Sequence, residues 1–325
     1  MKTATYVGGL LGLGLLLILI ARADGAAIIA TLQLAGAPLL WLLPYRALFF
    51  LLYAIGWLAL LRPYDPFHRA GLAYLFWVTS VREAVDRLLP VASVGGSVVG
   101  IRLVRWRGLA TAPVSATVIA EIVLTLIVAY LFTALGLALL VGLGPSGGEY
   151  RSFVLAFVLS LPIPVVTFML LRHGSVFERL QKLLRPLIGM SAMSRGAASL
   201  DHELRASLHR PILLGAGFLQ FVALVSASFE IWFALKLFGH PVSITAAIAL
   251  ESMTQAVRHV AFVIPAGLGV QEAGLVLFGH VLGIGGELGL AISMVKRMRE
   301  VLWGLASLVS WQWMEGRRLD SRVQA

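Results

Sequence analysis

A hydrocarbon core of roughly 30 Å is crossed by about 20 apolar residues in a helix, and runs of that kind recur along this 325-residue chain from one end to the other. They leave no stretch of useful size for a water-soluble domain. Composition agrees: 59% of residues are hydrophobic and 13% are charged, against about 25% charged in ordinary soluble domains. The expected fold class is therefore all-α. It is a polytopic integral membrane helical bundle of about eight membrane helices, with further broken or re-entrant segments, in a single membrane domain over 1–325.

The absence of cysteine excludes disulfides, thiol catalysis and cysteine-ligated metals. A net charge of +10 would suit nucleic acid, but basic cytoplasmic loops explain it in a membrane protein. No nucleic-acid partner is expected. There is no Gly-Lys-Ser/Thr phosphate loop and no paired-His metal spacing, so no cofactor is expected. Lys2, the apolar run 7–20 and Ala21-Arg22-Ala23 resemble a short signal peptide. Arg22 within that cleavage site favours an uncleaved first span.

Spans are expected at about 4–21, 37–61, 113–143, 151–172, 210–238 and 287–313. Two more apolar regions, about 70–101 and 243–284, are interrupted by Pro and Gly. Each fits either a helix–loop–helix that enters and leaves on one side or two crossings. With the N-terminus inside, the inside segments hold 16 basic residues and the outside segments 3. Basic loop residues stay cytoplasmic during insertion. This places both termini in the cytoplasm of a bacterial cell with the protein in its inner membrane. The 173–209 loop becomes the largest cytoplasmic element, suited to lying near anionic headgroups.

Seven basic residues fall inside the membrane regions: Arg46, Arg82, Arg87, Arg258, Lys296, Arg297 and Arg299. Seven acids join them: Glu83, Asp86, Glu121, Glu230, Glu251, Glu272 and Glu300. An unpaired charge in hydrocarbon costs roughly 2.5–3.5 kcal/mol on the mildest scale, so these groups must pair, snorkel or face water. Helical spacing suggests Arg82 with Asp86, Glu83 with Arg87, and Lys296 with Glu300, each four residues apart. Glu251, Gln255 and Arg258 share a helix face, with the titratable His259 beside them. The surplus positive charge of 296–300 would bind phosphate or be neutralised by Glu121, Glu230 or Glu251. Arg46 is expected to snorkel outward.

The two interrupted regions share a plan: a charge-bearing helix, an apolar residue before Pro, a small-residue turn, then another apolar helix. The charge count gives them opposite orientations, the signature of an inverted-topology repeat. Half one is about 37–143 and half two about 210–313, with the cytoplasmic loop between. Pro and Gly at such breaks free backbone groups, tolerated only where protein or water meets them. Glu272, near the start of its half-helix, is favoured there by the helix dipole. It reads as a cap, a receiver for a cation or a proton site.

Arg82-Glu83-Ala84-Val85-Asp86-Arg87-Leu88-Leu89-Pro90, the Gly95-Gly96 pair, and Arg102, Arg107 and Gly108 resemble the lysylphosphatidylglycerol synthase transmembrane family, a flippase-like family. The branch associated with hopanoid biosynthesis is the most similar. Pro265 to Glu272, the run Lys296 to Glu300, Gly304 and Trp311 extend the resemblance over about 40–316. Asp86 stands where relatives tend to have Asn, and Ser97 where many have an acid. In bifunctional relatives a cytosolic domain makes the aminoacyl lipid and the membrane domain moves it outward. The resemblance implies the translocating half here, not an enzyme. Its partner would be a membrane lipid, phospholipid or hopanoid, bound by Arg82, Asp86, Glu251, Arg258, Glu272, Lys296, Arg299 and Glu300. The alternatives are a membrane-embedded lipid-modifying transferase, or a non-catalytic scaffold for lipid-biosynthesis enzymes.

Overall fold

The computed structural model describes residues 33–89, 95–143, 151–173, 193–209, 211–261, 264 and 267–323. The expected first span, Pro90 and Pro265 at the two breaks, and residues 174–192 of the loop lie outside the described residues. Eleven α-helices dominate, with no strand among the described residues. They are α1 (Leu42–Leu61), α2 (Leu72–Leu88), α3 (Gly95–Arg105), α4 (Thr111–Leu143), α5 (Arg151–Ser160) and α6 (Pro162–His173). There follow α7 (Met193–Leu208), α8 (Ile212–Leu237), α9 (Ile244–Val260), α10 (Val270–Val281) and α11 (Gly286–Val323). The expected all-α membrane bundle is what the chain forms.

Among the described residues, four stretches are long and apolar enough to cross a bilayer: Ala37–Tyr64, Thr111–Gly142, Arg151–His173 and Ile212–Leu237. They coincide with the spans expected at 37–61, 113–143, 151–172 and 210–238. A helix apolar around its whole circumference can bury itself only in protein or lipid. The region expected at 287–313 lies inside α11, where charged residues between 296 and 300 interrupt the apolar run.

Both interrupted regions form helical hairpins with a long arm and a short arm. The long arms α2 and α9 have 17 residues each; the short arms α3 and α10 have 11 and 12. At 1.5 Å per residue the short arms reach about 16–18 Å, well under a hydrocarbon core of roughly 30 Å. The turn into α10 is made by Gly267 and Gly269, both at positive φ (59° and 74°), where a Cβ would be strained.

The longest helices are exchanged between two apolar cores. The first core gathers Trp57, Leu75, Val78 and Leu103 from α1–α3 with Val114 and Val118 at the start of α4; Leu308 and Trp311 near the end of α11 pack on it. The second gathers Ile231, Leu250 and Phe278 from α8–α10 with Ile292 and Val295 of α11. Leu137 and Leu140 near the end of α4 complete it. Thus α4 starts in one core and ends in the other, and α11 does the reverse. The packing follows: α4 lies on α9, α11 on α2, and α1 on α8.

Candidate functional site

Between the two cores, α11 carries Lys296, Arg297, Arg299 and Glu300, and α4 carries Glu121. All fourteen intramembrane charges are among the described residues. Glu300 is the hub. Four arginines stand around its carboxylate: Arg297 at 3.1 Å, Arg87 and Arg299 at 3.9 Å and Arg258 at 4.0 Å. Arg297 also donates to Glu272 (2.9 Å). Arg299 pairs with Glu230 of α8. Glu230 in turn meets Arg46 of α1 at 3.7 Å, and Arg46 and Arg87 both bond Glu83, at 3.2 and 3.0 Å. Five arginines and four glutamates are thereby linked.

Two pairs stand beside this network. Arg82 reaches Glu121 of α4 (2.7 Å), and Lys296 reaches Glu251 of α9 (2.5 Å). Each joins the long arm of a hairpin to the long helix that follows it in the chain. The signs are reversed: the hairpin supplies the cation in the first and the anion in the second.

The remaining acid, Asp86, accepts the backbone N–H of Gly96 (2.8 Å). Gly96 sits in the first turn of α3, where backbone donors have no partner within the helix and a carboxylate is favoured by the dipole. The contact needs glycine: a Cβ at 96 would lie 2.3 Å from the Arg82 carbonyl and 2.5 Å from Asp86 Oδ2. At the second hairpin Arg297 donates Nη2–H to the Gly267 carbonyl (3.0 Å). A charged side chain of the site thus satisfies a freed backbone group at each break, as buried irregular backbone requires.

The partners differ from those that helical spacing suggests. Glu83 and Arg87 do pair. Arg82 bonds Glu121 on another helix instead of Asp86, and Lys296 bonds Glu251 instead of Glu300. Arg46 does not snorkel: it is buried in the network, with its guanidinium 3.7 Å from the Phe49 ring centroid. Glu230 and Glu251 neutralise Arg299 and Lys296, so the surplus on α11 is largely met by protein carboxylates. Arg258 donates to Gln271 (2.7 Å), Gln255 to Glu251 (2.9 Å), and Glu272 receives the Ser293 hydroxyl (2.9 Å). His259 is exposed and contacts the Gln255 carbonyl, one turn earlier on its own helix.

Of the eight expected site residues, Arg258, Glu272, Arg299 and Glu300 belong to the network. Arg82, Glu251 and Lys296 form the two flanking pairs, and Asp86 holds the first break. The spacing argument did not single out Arg46, Glu83, Arg87, Glu121, Glu230 and Arg297 as site residues. Their signal was charge within an apolar run, the same that marked the other eight.

A cleft of about 10 Å³ opens into the network, lined by Arg46, Glu83, Arg87, Arg299 and Glu300, with Phe50, Trp303 and Gly304. Such a space takes about one water molecule. Trp303 Nε1 is buried there without a hydrogen-bond partner among the described residues.

The fold and its buried charged layer define an integral membrane protein of helical-bundle type. The chain belongs to the family of the lysylphosphatidylglycerol synthase TM region, whose model matches residues 6–306. No curated protein and no solved structure matches it.

Proposed function

We propose that this protein moves a polar-headed lipid between the leaflets of the inner membrane, the headgroup passing through the charged layer while the acyl or hopanoid tail stays in the bilayer. The observation that carries the reading is the division of charge between the halves. Half one (about 37–143) holds Arg46, Arg82 and Arg87 against Glu83, Asp86 and Glu121, three against three. Half two (about 210–313) holds Arg258, Lys296, Arg297 and Arg299 against Glu230, Glu251, Glu272 and Glu300, four against four. The intramembrane charges of each half therefore sum to zero.

The bonds follow the same division. Every layer pair of 3.2 Å or less lies within a half, alongside the longer Arg299–Glu300 and Arg258–Glu300 contacts of half two at 3.9 and 4.0 Å. Within the charged layer, the two pairs that cross between halves, Arg46–Glu230 and Arg87–Glu300, are 3.7 and 3.9 Å long; outside it, Arg102 and Glu315 also meet across the halves. Two parts that slide or rock against each other would therefore strand no net charge in hydrocarbon, where it is expensive. The matching hairpins, the exchanged long helices and the opposite orientation expected from loop charges support an inverted repeat rocking about a central site. A cleft with room for one water represents the closed form of such a site.

Once opened, the cleft would offer an anionic headgroup the guanidiniums of Arg46, Arg87 and Arg299 and the free indole N–H of Trp303. Planar guanidiniums suit phosphate. A phosphate-bearing lipid is therefore the preferred cargo, with a hopanoid the other candidate from the resemblance.

The test is lipid translocation in proteoliposomes, with a headgroup-labelled phospholipid and a quencher confined to the outside. Wild type should remove protection faster than empty liposomes. Glu272→Gln and Arg299→Ala, checked for folding by their thermal transitions, should not. A wild-type rate equal to that of empty liposomes rules out phospholipid movement under these conditions. Wild-type rates in both folded variants argue for a scaffold.

A further inference from the structure

Away from the charged layer, a groove of about 700 Å³ runs between α4, α6 and α8. Its volume lies in the range of small-molecule sites. Ile127, Leu131, Leu214, Phe218 and Phe221 make its walls and rims, and Leu131, Leu214 and Phe218 remain 56%, 81% and 67% exposed. The wall from α6 is thinly attached, since only 6% of the Arg151–His173 span is buried in the protein.

One end of this apolar groove is polar. Arg172, at the end of α6, donates Nε–H to His209 Nε2 (3.2 Å). A ring nitrogen that accepts is unprotonated, and the other, Nδ1, stands 2.7 Å from the Arg205 carbonyl as its donor. Arg172 has no carboxylate within ion-pair distance among the described residues; its other neighbour is the Phe168 ring at 5.7 Å. Among the described residues, a full positive charge without a carboxylate partner therefore closes an otherwise apolar groove. The length of the groove suits a hydrocarbon chain, and the Arg172 guanidinium suits a phosphate.

We propose that this groove binds one acyl chain of an anionic phospholipid, with the lipid phosphate on Arg172. The site is separate from the charged layer and holds whether or not that layer moves lipid. It would keep one anionic lipid on the outside of α4, one of the two helices shared by both cores.

The full chain is released from nanodiscs holding equal amounts of phosphatidylglycerol and phosphatidylcholine, and the lipid retained is weighed by native mass spectrometry. Wild type is expected to keep one phosphatidylglycerol, preferred over phosphatidylcholine by about tenfold, the order of one charge-assisted hydrogen bond. Arg172→Gln, at a half-exposed position the fold does not need, should bring the preference close to one. Leu131→Trp should fill the groove and lower retention of both lipids. Equal retention of the two lipids by wild type, or an undiminished preference in Arg172→Gln, overturns the proposal. Undiminished retention in Leu131→Trp removes the groove from it. A mass without lipid, monomeric or dimeric, assigns the groove to another chain segment or to a second copy and equally overturns it.

Discussion

Arg87 holds Glu83, one turn away on its own helix, at 3.0 Å, but stands 3.9 Å from Glu300 on α11. The same guanidinium therefore serves a tight partner within its half and a loose one across the interface. The loose contact can be lost without leaving either residue unpaired: Glu83 remains on Arg87, and Glu300 keeps Arg297 at 3.1 Å.

This makes the two ends of the Arg87–Glu300 pair unequal. Glu300→Gln removes the carboxylate that four arginines share, leaving buried positive charge uncompensated, a loss of about 3–5 kcal/mol. Lys296→Gln, by comparison, uncovers only Glu251. Denaturant unfolding in a fixed detergent should rank Glu300→Gln as the more damaging of the two. The reverse order would remove Glu300 from the centre of the network.

Arg82 and Glu121 form a pair that belongs to one half alone. Either Arg82→Met or Glu121→Leu should destabilise strongly, since each strands the other charge. The double variant should recover much of the loss, because a buried ion pair is often replaced by apolar side chains at little cost. A double-mutant cycle should return a coupling of about 1–3 kcal/mol. Strictly additive losses would mean the pair is not formed in the folded protein.

At the first break, Gly96→Ala puts a Cβ against the Arg82 carbonyl and the Asp86 carboxylate. Overpacking of this kind typically costs about 1–3 kcal/mol. Asp86→Asn should be far milder, because an amide oxygen still accepts the Gly96 N–H. It would also leave the intramembrane charges of half one with a net positive balance. Melting temperatures should fall for Gly96→Ala and barely move for Asp86→Asn. Equal falls would show that Asp86 is needed as a charge and not as an acceptor.

Arg102 of α3 bonds Glu315 near the end of α11. Arg102 is exposed, so the pair is worth about 0–1 kcal/mol to stability. It nonetheless ties a short arm to a helix from the other half. Arg102→Glu alone should leave the unfolding midpoint nearly unchanged yet alter the translocation rate. Arg102→Glu with Glu315→Arg should restore that rate. A double variant as altered as the single one would show that the tie has no part in movement.

The membrane class, four of the spans, the two hairpins and the seven-against-seven balance were legible in the sequence, because hydropathy and charge are properties of the residues themselves. The partners were not. A four-residue spacing identifies neighbours on one helix, and it succeeded for Glu83 and Arg87. It failed for Arg82 because Glu121, 39 residues on, is carried alongside by α4, and no local pattern records which helices lie together. Arg46 was misread for the same reason: a position five residues into α1 looks peripheral until α8 places Glu230 against it.

The exchange of α4 and α11 between the two cores bears on how the chain is made. The first core remains uncovered until Leu308 and Trp311 have been synthesised, although its other members lie before residue 119. Until then Arg87 lacks Glu300 and the α11-facing side of α2 stays open. Completion of the first core is thereby deferred until α11 emerges, and a chain broken off before residue 308 would present its insertion and degradation machinery with an unfinished first half.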